Sequence, residues 1–146
     1  MNYKDEREYL ENELKNYRYI IDMCYKYEQI IADAEISRQG TSSPSIKPVV
    51  YENAGNPYKD KGVELNEVID EAKKNLFMWQ ERKNWIDMRL RVLDKYEYKA
   101  VKYKYMISTK ATDEFISNVI HCHRNTVRSI LDRAFDKMLK VCARAQ

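Results

Sequence analysis

Apolar residues recur along the chain in two long runs at helical spacing. In the first, about residues 2–36, Leu10, Leu14, Tyr17, Ile21, Cys24, Glu28 and Ile31 step by alternating fours and threes. That repeat places residues on one face of a helix. Glu28 is its polar exception, and Tyr27 beside it can take over the buried face. Ile20, Met23 and Ile30 widen the stripe towards a globular helix face. Lys4, Glu8, Glu11, Lys15, Arg18 and Asp22 fall on the opposite, solvated side. The second run, about residues 63–93, repeats the pattern with Leu65, Ile69, Ala72, Leu76, Trp79, Lys83, Ile86, Leu90 and Leu93. At 1.5 Å per residue each predicted helix is about 45 Å long.

The three glycines and three prolines all lie between Gly40 and Gly62, so residues 37–62 read as a loop between the two helices. The sequence therefore predicts a long helical hairpin over residues 1–94. An isolated pair of helices has a thin core, so a second copy packing on it in coiled-coil fashion, as a homodimer, is expected to help it stand. The loop is long for a compact domain. It contains Val49, Val50, Tyr51 and Tyr58, and reads either as a surface connector or as an ordered contact for a partner.

A third pattern occupies residues 113–132. Two short helices crossing at a steep angle need a small residue at the crossing, a turn residue four places later and apolar residues at set intervals. Ile116, Ser117, Ile120, His121, Cys122, Val127 and Ile130 fill those seven positions. Ser117 stands where Ala is commoner. His121 stands where Gly is usual, and His accepts a left-handed backbone better than most residues. His123 falls at the cap of the second helix, a position better suited to Ser, Thr, Asp or Asn. The residues outside the buried set then decide the chemistry. Arg124, Asn125, Arg128 and Ser129 lie near the start of the second helix, the end that a recognition helix presents to base edges. Arg can bond guanine, and Asn adenine, through two hydrogen bonds each. Thr126 and His123 suit a phosphate, and Ser108, Thr109, Lys110 and Thr112 offer phosphate contacts ahead of the first helix. Lys102 and Lys104 add charge at the flank, while Arg133 and Lys137 extend a basic face along the second helix.

Charge distribution agrees with this reading. Residues 1–94 carry 15 Lys and Arg against 18 Asp and Glu, a balance of −3. Residues 95–146 carry 11 against 5, a balance of +6. A basic module joined to a mildly acidic one is the electrostatic footprint of a DNA-binding tail. Helix-forming residues and few Gly or Pro make the expected fold all-α, with the hairpin at 1–94 and a helix-turn-helix domain at 95–146. No apolar run approaches the length of a membrane span, and the charged N-terminus lacks a secretory signal. Three widely spaced cysteines, Cys24, Cys122 and Cys142, suggest no disulfide framework, so a reducing cytoplasm is the expected setting.

Other chemistry finds little support. His121, Cys122 and His123 invite a metal, but zinc needs about four converging ligands, and Cys122 is required inside the motif. No metal, cofactor or catalytic residue is expected: phosphate loops, nucleophile elbows and zinc-protease motifs are missing. The tyrosine pairs 17/19, 25/27, 96/98 and 103/105 suggest base stacking, but residues two apart do not share a helix face. Packing, with the hydroxyl at the rim, is the expected role, as it is for Trp79 and Trp85.

Residues 93–139 resemble region 4 of bacterial sigma factors. Ala100 to Tyr105 is similar to the helix before the motif, and Thr126 to Ala134 to its recognition helix. In layout, a long helix, a Pro/Gly loop, a second helix and this terminus, the whole chain resembles the RinA and ArpU type of phage-encoded late-gene regulators. The resemblance implies a sequence-specific double-stranded DNA-binding transcription regulator in a bacterial host cell, an activator of phage packaging, structural or lysis genes, with host RNA polymerase as a possible partner. A phage small terminase subunit recognising packaging DNA and a polymerase-binding adaptor are the alternatives. Other core regions of a sigma factor have no counterpart here.

Overall fold

The computed structural model describes residues 2–40, 61–107 and 110–144. The greater part of the 37–62 loop, with Val49, Val50, Tyr51 and Tyr58, lies outside them, as do Ser108 and Thr109. Among the described residues the fold is all-α: α1 (Tyr3–Lys15), α2 (Tyr17–Arg38), α3 (Lys61–Leu90), α4 (Lys95–Val101), a π-helical turn (Lys102–Ile107), α5 (Asp113–Ile120) and α6 (Arg124–Arg144).

Local chemistry sets the helix ends. The Asn2 side chain accepts from the Asp5 amide at 2.9 Å and opens α1, with Asp5 and Glu6 in the favourable first turn. The first helix does not run unbroken to residue 36 as its periodicity predicts. Asn16, at φ −90° and ψ 0°, interrupts it, and its amide is shared between the carbonyls of Asn12 at 3.1 Å and Glu13 at 3.2 Å. The interruption resets the stripe, so that Ile20 is fully buried while Ile21 is exposed. Tyr27 is half-buried and Glu28 exposed, as the pattern implies. In α3 the stripe holds throughout. Ile69, Ala72, Ile86 and Leu90 are buried, and the polar exception Lys83 is half-buried and paired with Asp87 at 2.8 Å. This helix ends at Leu90 rather than 93, before Asp94 caps α4.

Two compact units result, and they do not follow the partition at residue 94. One unit joins Met1–Ile20 to Arg82–Gln146; the other is Ile21–Glu81. The ends of the long helices are drawn into the first unit by contacts that no local pattern announces. Its core is built from Leu10, Leu14, Ile20, Ile86, Leu90, Ala100 and Val101 together with the buried residues of α5 and α6, of which Phe135 is the largest. Glu13 forms a two-point pair with Arg82, at 2.7 and 3.2 Å. The Tyr17 hydroxyl donates to Asp87, and burial together with that carboxylate pushes its pKa up. Trp85 meets Tyr9 edge-on at 5.4 Å and carries the buried Arg89 guanidinium over its ring at 3.7 Å. In the second unit Cys24, Ala34, Ile69 and Ala72 are buried and Arg38 bonds Asn66 at 3.0 Å. Tyr25, Phe77 and Met78 remain more than 60% exposed there.

Candidate nucleic-acid interface

The seven positions that the sequence assigns to a helix-turn-helix form one in the structure. The Thr112 hydroxyl oxygen accepts from the Phe115 amide at 3.1 Å and starts α5. Ile116, Ser117 and Ile120 are its buried face, and the Ser117 hydroxyl donates to the Glu114 carbonyl at 2.7 Å. Ser117 is buried at 6% exposure, so the site has little room for a larger side chain. His121 takes φ 57° and ψ 47°, the one non-glycine residue with positive φ among those described. This left-handed residue lets the Cys122 amide reach back to the Ser117 carbonyl at 3.0 Å, which satisfies the end of α5 and turns the chain sharply. His123 then caps α6 through its ring. Nδ1 accepts from the Asn125 amide at 3.2 Å, and the backbone carbonyl accepts from Thr126 at 2.9 Å. Accepting through a side-chain atom, the ring does here what Ser or Asp does at other helix starts. Cys122 is half-buried, and no cluster of three potential metal ligands occurs among the described residues.

The two helices are held against the rest of the unit by α4 and the π-helical turn. Val127, Ile130, Leu131, Ala134, Phe135 and Met138 form the buried stripe of α6. The Phe135 ring meets Tyr105 edge-on at 5.5 Å, and Tyr103 meets Phe115 at 6.0 Å. Burial, with Glu11 beside it, pushes the Tyr105 hydroxyl pKa up to about 12, so it stays a neutral donor to that carboxylate. Tyr96 and Tyr98 are both exposed, unlike the packed tyrosines that the pairing suggested.

Of the ten candidate DNA-contacting residues, eight lie at the surface around the start of α6 and α5. Arg124, Asn125, Thr126, Arg128 and Ser129 are all exposed on the first two turns of α6, with His123 at its cap. Among the described residues neither Arg124 nor Arg128 meets a carboxylate. Thr112 and Lys110 are exposed ahead of α5. Lys104 at the flank pairs with Asp113 at 3.3 Å, and Lys102 lies over the Tyr98 ring at 5.9 Å.

The remaining two, Arg133 and Lys137, are at the surface but already have a partner. They turn to Glu97, whose carboxylate receives Arg133 Nε at 2.6 Å and Lys137 Nζ at 2.7 Å. The Glu97 side chain is fully buried, and a buried carboxylate demands such partners. Its other duty is a capping box: Oε1 accepts from the Asp94 amide at 2.9 Å while Asp94 accepts from the Glu97 amide at 2.8 Å. Burial alone would raise the Glu97 pKa, but the Asp94 amide, Lys137 and Arg133 outweigh it and hold the carboxyl below its usual range. Asp94 and Glu97, three apart just before an apolar pair, carry the local signature of that box, which is legible in the sequence; the reach to α6 is not.

Sequence reasoning also missed the far end of the outward face of α6. Asp132 and Asp136 continue the stripe of Arg128 and Ser129, and both are met by α1. Arg7 Nη1 bonds Asp132 at 2.8 Å, and the Tyr3 hydroxyl donates to Asp136 at 2.6 Å.

The chain matches no known protein family, no curated protein and no solved structure.

Proposed function

We propose that this chain binds double-stranded DNA in the major groove through the first two turns of α6, and that it is a sequence-specific transcription regulator. The observation that carries this reading is the exposed set Arg124, Asn125, Thr126, Arg128 and Ser129 at the start of a helix whose opposite face is anchored by a tight turn and a buried core. Two guanidiniums that meet no carboxylate among the described residues, and an amide at that end, match the donors and acceptors of base edges, and the +6 balance of residues 95–146 favours a polyanion. The resemblance to RinA and ArpU type regulators extends the proposal to activation of phage late genes in the bacterial cytoplasm. A homodimer is part of it. Among the described residues the second unit buries few apolar side chains and leaves Tyr25, Phe77 and Met78 exposed, and a second copy would complete its core.

The test is genome-wide occupancy of the tagged full-length protein in its host, followed by footprinting with purified protein. A sharp peak upstream of a gene block, with binding that weakens steeply as salt rises, is the expected result. A peak at a packaging-gene site with a ring-shaped oligomer would instead favour a small terminase subunit. Absent binding by folded protein would leave a protein partner, such as polymerase, as the target. Sedimentation of the full chain at micromolar concentration checks the dimer; a monomer would remove it.

A further inference from the structure

We propose that the N-terminal helix α1 is part of the DNA-reading surface, with Arg7 acting as a positioning residue that neutralises Asp132 on the exposed face of α6; this rests on the DNA-binding reading above. Asp132 lies one helical turn beyond Arg128 on the same stripe, and its side chain is 53% exposed. A bare carboxylate there would face the same phosphates that Arg124 and Arg128 attract. The chain brings a cation to it from a position 125 residues away in sequence. The Arg7 guanidinium is not a loose surface charge. It bonds Asp132 at 2.8 Å and Glu11 at 3.3 Å, and lies 4.6 Å from the centre of the Phe135 ring. These three contacts hold the positive charge at the outer edge of α6. Beside it the Tyr3 hydroxyl donates to Asp136, the second carboxylate of the stripe. The outward face of α6 therefore carries two arginines in its first turns and two carboxylates further on, and α1 masks the carboxylates.

A purely structural ion pair and an electrostatic mask make opposite predictions. Breaking a structural pair from either side would weaken the module and its binding alike. Removing a mask exposes a repulsive charge, whereas removing the masked charge frees an attractive one. The experiment measures binding of full-length protein to the duplex fragment recovered by occupancy, at several salt concentrations, alongside thermal unfolding. Arg7→Ala is expected to weaken binding about fivefold, the effect of one unit charge a few ångströms away in water. Asp132→Asn is expected to tighten binding by a similar factor and to steepen its salt dependence by about one phosphate contact. The double variant should return to within about twofold of wild type, and Arg7→Lys should stay near it. A shift in the same direction for Arg7→Ala and Asp132→Asn would overturn the inference, as would tighter binding by Arg7→Ala, which would mark α1 as an obstruction. Wild-type protein that binds no duplex at any salt would sink the DNA reading itself and this inference with it. Wild-type binding with unchanged affinity in Arg7→Ala would sink this inference alone.

Discussion

The two ends of α6 are made of similar residues and treated in opposite ways. Over the first two turns the polar side chains are left at the surface, and among the described residues the two arginines meet no carboxylate. Over the later turns every charged residue from Asp132 to Lys137 is taken up: Asp132 by Arg7, Arg133 and Lys137 by Glu97, Asp136 by Tyr3. The difference teaches that a basic residue on a helix is a binding candidate only where the fold has not already given it a partner. It also separates two kinds of consequence. Changes at the buried and Glu97-bound residues of the anchored end should read out as stability, and changes at the open end, or at the exposed Asp132 and its partner Arg7, as affinity.

The sharpest way to break this comparison is Phe135→Ala. It removes the largest fully buried side chain and should cost about 3–5 kcal/mol in thermal or denaturant unfolding. Next comes Glu97→Ala, which deletes the acceptor shared by Arg133, Lys137 and the Asp94 amide; about 2 kcal/mol is expected, since both cations can return to water. The pH dependence sharpens that prediction. A carboxyl held below its usual value stabilises the fold above about pH 4.5, and the contribution is lost as pH falls through the depressed folded value. Glu97→Gln should flatten that acid limb of the stability curve while leaving the neutral limb sloped as before. At the open end, Arg128→Ala should weaken specific DNA binding by about 1–3 kcal/mol with unfolding changed by less than about 0.5 kcal/mol. Equal losses of stability and affinity in that variant would dissolve the distinction between the two ends. The smallest effect lies between them. His121→Gly relieves a left-handed backbone and should raise stability by about 1 kcal/mol, with affinity unchanged.

Much of the fold was legible because it is written in local periodicity. The α3 stripe from Leu65 to Leu90 and the buried set from Ile116 to Ile130 follow from spacing alone. The left-handed His121 was legible because the motif leaves no alternative at that position. What local spacing does not carry is partnership at a distance. Arg133 and Lys137 sit correctly on a helix in the sequence, yet Glu97, 36 and 40 residues earlier, decides what they do. Asn16 gave no Gly or Pro signal, so the interruption between α1 and α2, and the exchange of Ile21 for Ile20 in the core, stayed hidden. The partition at residue 94 follows composition, whereas the packed units follow contacts such as Glu13 with Arg82.

The first unit joins residues 1–20 to residues 82–146, and that sets an order of events during synthesis. Leu10 and Leu14, buried in that unit, leave the ribosome long before Phe135, its largest buried side chain, exists. Until then α1 can meet the end of α3, through Trp85 and Arg82, but the side of it that packs on α6 stays open, which is the condition under which nascent chains aggregate or recruit chaperones. Tyr3 and Arg7 find Asp136 and Asp132 only after 133 and 125 further residues have been made. A ribosome that stalls before Arg124 therefore releases a chain whose first unit lacks α6, and contacts of such long sequence separation are slow to form.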